Sequence, residues 1–205
     1  MPDTNLSHRP HRTDRGQPFL GHLTLAHARL HEACGPARHT LAMMLAAAMQ
    51  GPVYWVAPNW SPARLYGPGM ARFTDPGRFT FIHAQRAEDI LWTLEEVMRA
   101  GVIPLVIGDL PAPPGLTPVR RIHLAGETGA REGSLAPIGL ILTPEGAASG
   151  VESRWHMAAA HGPGFEPEDD AWNLTRQRAR NQPPRNWQVK RLQDTFILTP
   201  DQTYP

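Results

Sequence analysis

Residues 102–110, VIPLVIGDL, are apolar at almost every position. A strand that reads this way is covered on both faces, the condition of a strand inside a parallel sheet. Parallel neighbours need crossover connections long enough to hold a helix, so the rest of the chain must alternate strands with helices. It does. RLHEA (29–33), VYWVA (53–57), FTFIH (79–83) and IGLIL (138–142) are further short runs of strand type. TLAMMLAAAM, Thr40 to Met49, predicts a helix with Thr40 as N-cap and a stop at Gly51-Pro52. It is apolar nearly all round and should be buried.

Residues 86–100 give the clearest helix: Ile90, Leu91, Leu94, Val97 and Met98 share one face, and Gly101 ends it. Residues 61–73 predict a helical turn broken at Gly67-Pro68-Gly69. Thr117-Pro118 predicts another helix start, with Thr as N-cap, ending near Gly129. Beyond it the pattern changes. SRWHMAAA (153–160) reads as a strand, FEPEDD (165–170) as an acidic loop, and Trp172 to Leu192 as two alternating strands around a Pro-rich turn. The class is α/β: a mostly parallel sheet with flanking helices and a C-terminal antiparallel hairpin.

Composition narrows the function. At 205 residues, 41% hydrophobic and 19% charged, the chain suits one globular domain with tails. A net charge of +1 sets up no global field toward nucleic acid or membrane. No apolar run reaches the about 18 residues of a membrane span, and the first residues lack the apolar core of a secretory signal. A cytoplasmic location without membrane contact is the expectation. Lys190 is the only lysine among 20 basic residues, which removes lysine chemistry from everything before it. A lone cysteine, Cys34, excludes an internal disulfide.

Smaller constellations have plain explanations. His27 and His31 stand four apart, but His31 falls on a predicted strand, so no metal site is expected. Cys34 near His39 reads as a small buried residue rather than a nucleophile. Trp92, four before Glu96, reads as helix-edge packing, and Asp169-Asp170 as a solvated loop. The final strands carry more. Arg176, Arg178, Arg180, Arg185, Lys190 and Arg191 lie between Trp172 and Gln193 with no acidic residue. Arg176, Arg178 and Arg180 alternate and would share one strand face, with Trp172 and Trp187 flanking them. Such a face suits phosphates with indoles stacking on bases, an acidic protein surface, or plain solvent.

The order of these pieces resembles the RecA-like fold, and within it the ImuA branch associated with SOS mutagenesis. HEACGPARHTLAMMLAAA stands where that family has strand, phosphate loop and helix; VYWVAPNW stands at its second core strand. LYGPGMARFTDPGRF, ILWTLEEVMRAGVIPLVIGDL, LTPVRRIHLAGETG and the Trp172–Lys190 hairpin resemble its later segments, so the likeness covers about residues 27–192. It implies a RecA-like domain over 23–192; the polar residues 1–22, with Arg9, Arg12 and Arg15, read as a flexible basic tail and residues 193–205 as a C-terminal tail.

The resemblance also implies a degenerate nucleotide site. A working phosphate loop reads G-x-x-x-x-G-K-[ST]. Here Gly35-Pro36-Ala37-Arg38-His39-Thr40 is two residues shorter, lacks the second glycine and has His39 in the lysine position. Thr40 retains the magnesium-side hydroxyl, and Asp109 matches a Walker B aspartate. Pro58-Asn59-Trp60 replaces the family's glutamate after the second core strand. No catalysis and no cofactor are expected. The implied role is a non-catalytic accessory to error-prone translesion synthesis that contacts an ImuB-type, polymerase-like partner, with DNA, self-association or RecA contact as further options. A SulA-like division inhibitor and a divergent nucleotide hydrolase using Arg38 and Asp109 are the alternatives.

Overall fold

The computed structural model describes residues 16–61, 64–160, 170–193 and 195–201. Most of the expected N-terminal tail, Phe165 to Asp169 of the acidic loop and the last four residues lie outside them.

Among the described residues, nine strands form one sheet. They are β3 (Arg29–Cys34), β4 (Val53–Pro58), β5 (Phe79–Ala84), β6 (Leu105–Asp109), β7 (Ile138–Thr143), β8 (Ser153–Ala159), β9 (Ala171–Ala179), β10 (Arg185–Leu192) and β11 (Thr195–Pro200). Their order is β11-β10-β9-β8-β3-β7-β6-β4-β5. The pairs from β8 to β5 are parallel, and those from β8 to β11 are antiparallel. A separate hairpin, β1 (Gln17–Phe19) with β2 (Leu23–Leu25), precedes them.

Helices cover both faces. On one, α1 (Arg38–Ala47) buries Leu41 through Ala46 against Trp55, Leu105, Leu140 and Met157. The second contains α3 (Ala87–Ala100) and α4 (Leu116–Glu132), whose Ile90, Leu94, Met98, Val119 and Ile122 pack on Leu30, Val56, Val106 and Ile141. Gly101 stops α3 in the left-handed conformation, at φ 60°. A Cβ there would lie 2.3 Å from the Gly129 carbonyl oxygen, so this turn requires glycine.

Several boundaries differ from the sequence reading. α1 starts two residues before Thr40, with Ala37 outside it, so Thr40 lies in the first turn and caps nothing. α4 starts at Leu116 after Gly115; Pro118 is its third residue, still in the turn whose N–H groups need no helical partner. Gly67-Pro68-Gly69 does not break a helix but forms most of the short α2 (Gly67–Ala71), for the same reason. The expected tails also change. Gln17–Phe19 is paired in β1, and Thr195–Pro200 adds β11 to β10, so the C-terminal hairpin is a three-stranded meander. Its alternating Phe196 and Leu198 pack against the α1-side core, a period-two signal in a segment read as tail.

The passage from β7 to β8 is the least regular part of the sheet's interior, because both strands neighbour β3 and the chain must cross it through residues 144–152. Glu32 of β3, completely buried, secures the crossing. Its carboxylate accepts from Thr143 Oγ1 at 2.7 Å, from the Ala148 amide at 3.1 Å and from Arg154 Nε at 2.5 Å. Arg154 in turn donates to the Ala148 carbonyl at 2.6 Å. Removing one partner of a buried ion pair strands the other, at a cost of about 3–5 kcal/mol. Glu32→Ala should therefore lower unfolding free energy by about that amount in a urea titration, and Glu32→Gln, which keeps the neutral acceptor, by less.

Candidate functional site

The segment Gly35–Thr40, where the resemblance expects a degenerate phosphate loop, follows β3 and enters α1. A phosphate loop works by turning consecutive backbone N–H groups toward an anion. Here they point elsewhere. The Gly35 amide donates to the Pro144 carbonyl at 3.2 Å, Ala37 to Met157 at 3.0 Å and Arg38 to Gly35 at 3.3 Å. Pro36 has no N–H to offer. The loop is pressed against β8: a Cβ on Gly35, at φ +87°, would sit 2.6 Å from both His156 Nε2 and the Met157 carbonyl oxygen. The Arg38 guanidinium folds back onto the Gly35 carbonyl at 3.2 Å.

His39, in the first turn of α1 just after β3, and Asp109, at the end of β6, are brought together across β7, which lies between β3 and β6 in the sheet. His39 Nε2 lies 2.8 Å from Asp109 Oδ2, so this nitrogen donates and the carboxylate accepts. The imidazole stacks on Trp55 at 5.9 Å and 25°. The pair borders a cavity of about 230 Å³ at the carboxyl ends of β4, β5 and β6, with Tyr66, Phe81 and His83 on its other sides. Parallel sheets commonly bind ligands at that end. A fixed imidazole beside a carboxylate can hold or accept a proton, but no lysine or glutamate stands with it. Cys34 is fully buried, and burial first, then the Glu32 carboxylate, push its thiol up to about 11, which removes it as a nucleophile.

The basic strands are only partly as read. β9 carries one extra residue opposite β8: Trp155 pairs with Arg176 and Arg154 with Arg178, leaving Gln177 between them. Such a bulge breaks the alternation. Arg176 and Arg178 thus fall on opposite faces, which corrects the shared arginine face. Arg176 is 7% exposed. Its guanidinium lies over the rings of Trp187 at 5.2 Å and Trp155 at 5.7 Å, and donates to the Pro183 carbonyl at 3.0 Å and to the Gln182 side chain. Burial first, then the charge of Arg185, lower its pKa.

Trp172 and Trp187 are buried as well, so neither indole is presented for base stacking. Arg191 is half-buried, over the Phe73 ring at 5.3 Å and 3.8 Å from Asp170, and Lys190 is half-buried beside it. Asp170 is not merely solvated: it also pairs with Arg72. Arg178, Arg180 and Arg185 remain exposed, Arg180 with Glu152 at 4.0 Å. Trp92 is 60% exposed, so it is not packed at a helix edge.

His31 is a satisfied structural histidine, with one partner close in sequence and one far from it. It is buried in β3, with Nε2 donating to the Ala26 carbonyl at 2.9 Å and Nδ1 accepting from Ser153 Oγ at 2.7 Å. Trp155 Nε1 donates to the same hydroxyl at 2.8 Å. Among the described residues, no three His, Cys, Asp or Glu side chains gather as a metal site.

Two outcomes follow. Burial lowers the His31 pKa from 6.5 to about 4. The unfolded chain therefore binds more protons between those values, and stability is full above pH 6.5 and declines as pH falls toward 4. The loss is about 3 kcal/mol, with half-buried His123 shifted in the same direction. The difference between wild-type and His31→Gln stability curves should show it. Arg176→Ala should cost about 1–3 kcal/mol through lost ring contacts and orphaned acceptors. Joint Arg178→Ala and Arg180→Ala should stay within about 0.5 kcal/mol of wild type for each position, checked by thermal unfolding.

No protein-family model matches the chain, and no curated protein matches it.

Proposed function

We propose that this chain is a non-catalytic, RecA-like accessory protein of the DNA-damage response that supports error-prone translesion synthesis by binding an ImuB-type, polymerase-like partner. The observation that carries the non-catalytic reading is the inward bonding of the loop amides at Gly35, Ala37 and Arg38. An anion entering there would have to break bonds to Pro144, at the start of the β7–β8 crossing, and to Met157 of β8. His39 adds to this, since its ring is held by Asp109, the residue that would otherwise help to hold magnesium.

The parallel core with an antiparallel extension is consistent with the RecA-like reading, as is the position of Asp109 at the end of β6, one strand removed from β3. The partner comes from the resemblance; charge complementarity suits it, because Arg178, Arg180 and Arg185 form the exposed basic group near the β9–β10 turn. Arg176 is excluded from that contact by its burial.

The test is co-elution of the purified chain with the same organism's ImuB-like protein at moderate salt. Co-elution should survive Asp109→Ala and be lost on joint charge reversal at Arg178, Arg180 and Arg185. Two well-folded proteins that elute separately would defeat the reading. ATP turnover abolished by Asp109→Ala would replace it with a nucleotide hydrolase.

A further inference from the structure

Among the described residues β11 is the outer strand at one end of the sheet and pairs with β10 alone, so one row of its backbone N–H and C=O groups has no described strand beside it. Edge strands of this kind are normally blunted by charge, by a central proline or by a covering element. From Thr195 to Thr199 the sequence is Thr-Phe-Ile-Leu-Thr, with no charge and no proline. Ile197 is 47% exposed at its middle. Leu192, 55% exposed, stands on the adjoining strand opposite Thr195 and thus on the same face as Ile197. Phe196 and Leu198 occupy the other face, packed against the core beside Phe73.

The residue order says what fits this edge. Read from either end, the segment is threonine, large apolar, isoleucine, large apolar, threonine. If a second copy lies antiparallel with Ile197 on the twofold axis, Thr195 meets the other copy's Thr199, Phe196 meets Leu198, and Ile197 meets Ile197. Thr–Thr, aromatic–aliphatic and β-branched pairs are favourable when directly opposite across strands. A parallel neighbour, or a slip by one residue, would set threonine against phenylalanine or isoleucine against leucine and lose the match between faces. An antiparallel pair of identical strands closes as a twofold dimer, which leaves neither copy's edge open. We propose that β11 is a homodimer interface, joining two nine-stranded sheets into one continuous sheet through antiparallel β11–β11 pairing centred on Ile197.

The experiment uses the full chain. Sedimentation equilibrium over a range of concentrations should show a monomer–dimer equilibrium. Ile197→Lys places two like charges on the axis and should weaken dimerisation at least about tenfold, while its circular dichroism and thermal midpoint stay those of wild type. Register is tested by single cysteines with a short bis-methanethiosulfonate crosslinker, the natural Cys34 being fully buried. Ile197→Cys should crosslink to itself. Thr195→Cys and Thr199→Cys should each crosslink poorly alone and efficiently when mixed. A monomer at every concentration would overturn the proposal. So would a dimer indifferent to Ile197→Lys, or crosslinking through Ile82→Cys on β5 that exceeds Ile197→Cys.

Discussion

The buried carboxylate of Glu32 ties three successive pieces of chain to a strand more than a hundred residues before them. It sits on the central strand β3 and gathers the end of β7, the middle of the 144–152 crossing and the start of β8. Without a helix in that crossing, hydrophobic burial alone gives it little to fold against; Ala148 and Val151 are its buried apolar contributions. A charge in such a place is costly unless every lone pair is used, and here a hydroxyl, an amide and a guanidinium use them. The antiparallel half of the sheet starts at β8, which pairs with β3 through Glu32, Ala33 and Cys34, and Glu32 adds a side-chain tie at that seam. The inward bonds of Gly35 and Ala37 to Pro144 and Met157 extend the same junction on the loop side. The bonds that occupy these loop amides are therefore part of what joins the two halves of the sheet.

The antiparallel half has a core of its own type. Trp155 and Trp187 lie 5.9 Å apart, and Arg176 covers both rings. The guanidinium serves as a flat packing element whose edge remains bonded to the Pro183 carbonyl and the Gln182 side chain of the β9–β10 turn. The turn is thereby tied to the sheet from beneath, while Arg178, Arg180 and Arg185 are left outward. The bulge at Gln177 is what allows one strand to supply a packing arginine and a surface arginine two positions apart.

Much of the parallel half was legible because its signals are local. Continuous apolar runs such as 138–142, the amphipathic stripe of α3 and the glycine at 101 each depend on neighbours within a few residues. The His39–Asp109 pairing was partly legible, since the resemblance set both at one site. The failures share a different cause. Whether Arg176 faces solvent depends on one extra residue opposite another strand, and register across strands is not written in either strand alone. The bonds of His31, Glu32 and Arg154 span more than a hundred residues. β11 was overlooked because a short alternating segment near a terminus looks the same whether or not it has a strand to join.

Cys34 lies directly beneath the crossing that Glu32 secures. Gly146 passes so close that a Cβ on it would come within 2.3 Å of the sulfur. The thiol is enclosed by the crossing at Gly146, the Trp155 carbonyl and the Gln177 side chain. Its accessibility is therefore a gauge of local opening around β3: the rate at which the folded protein reacts with a thiol reagent counts how often this enclosure parts. The same contact gives evolution little room, because any side chain at position 146 must displace either the sulfur or the crossing itself.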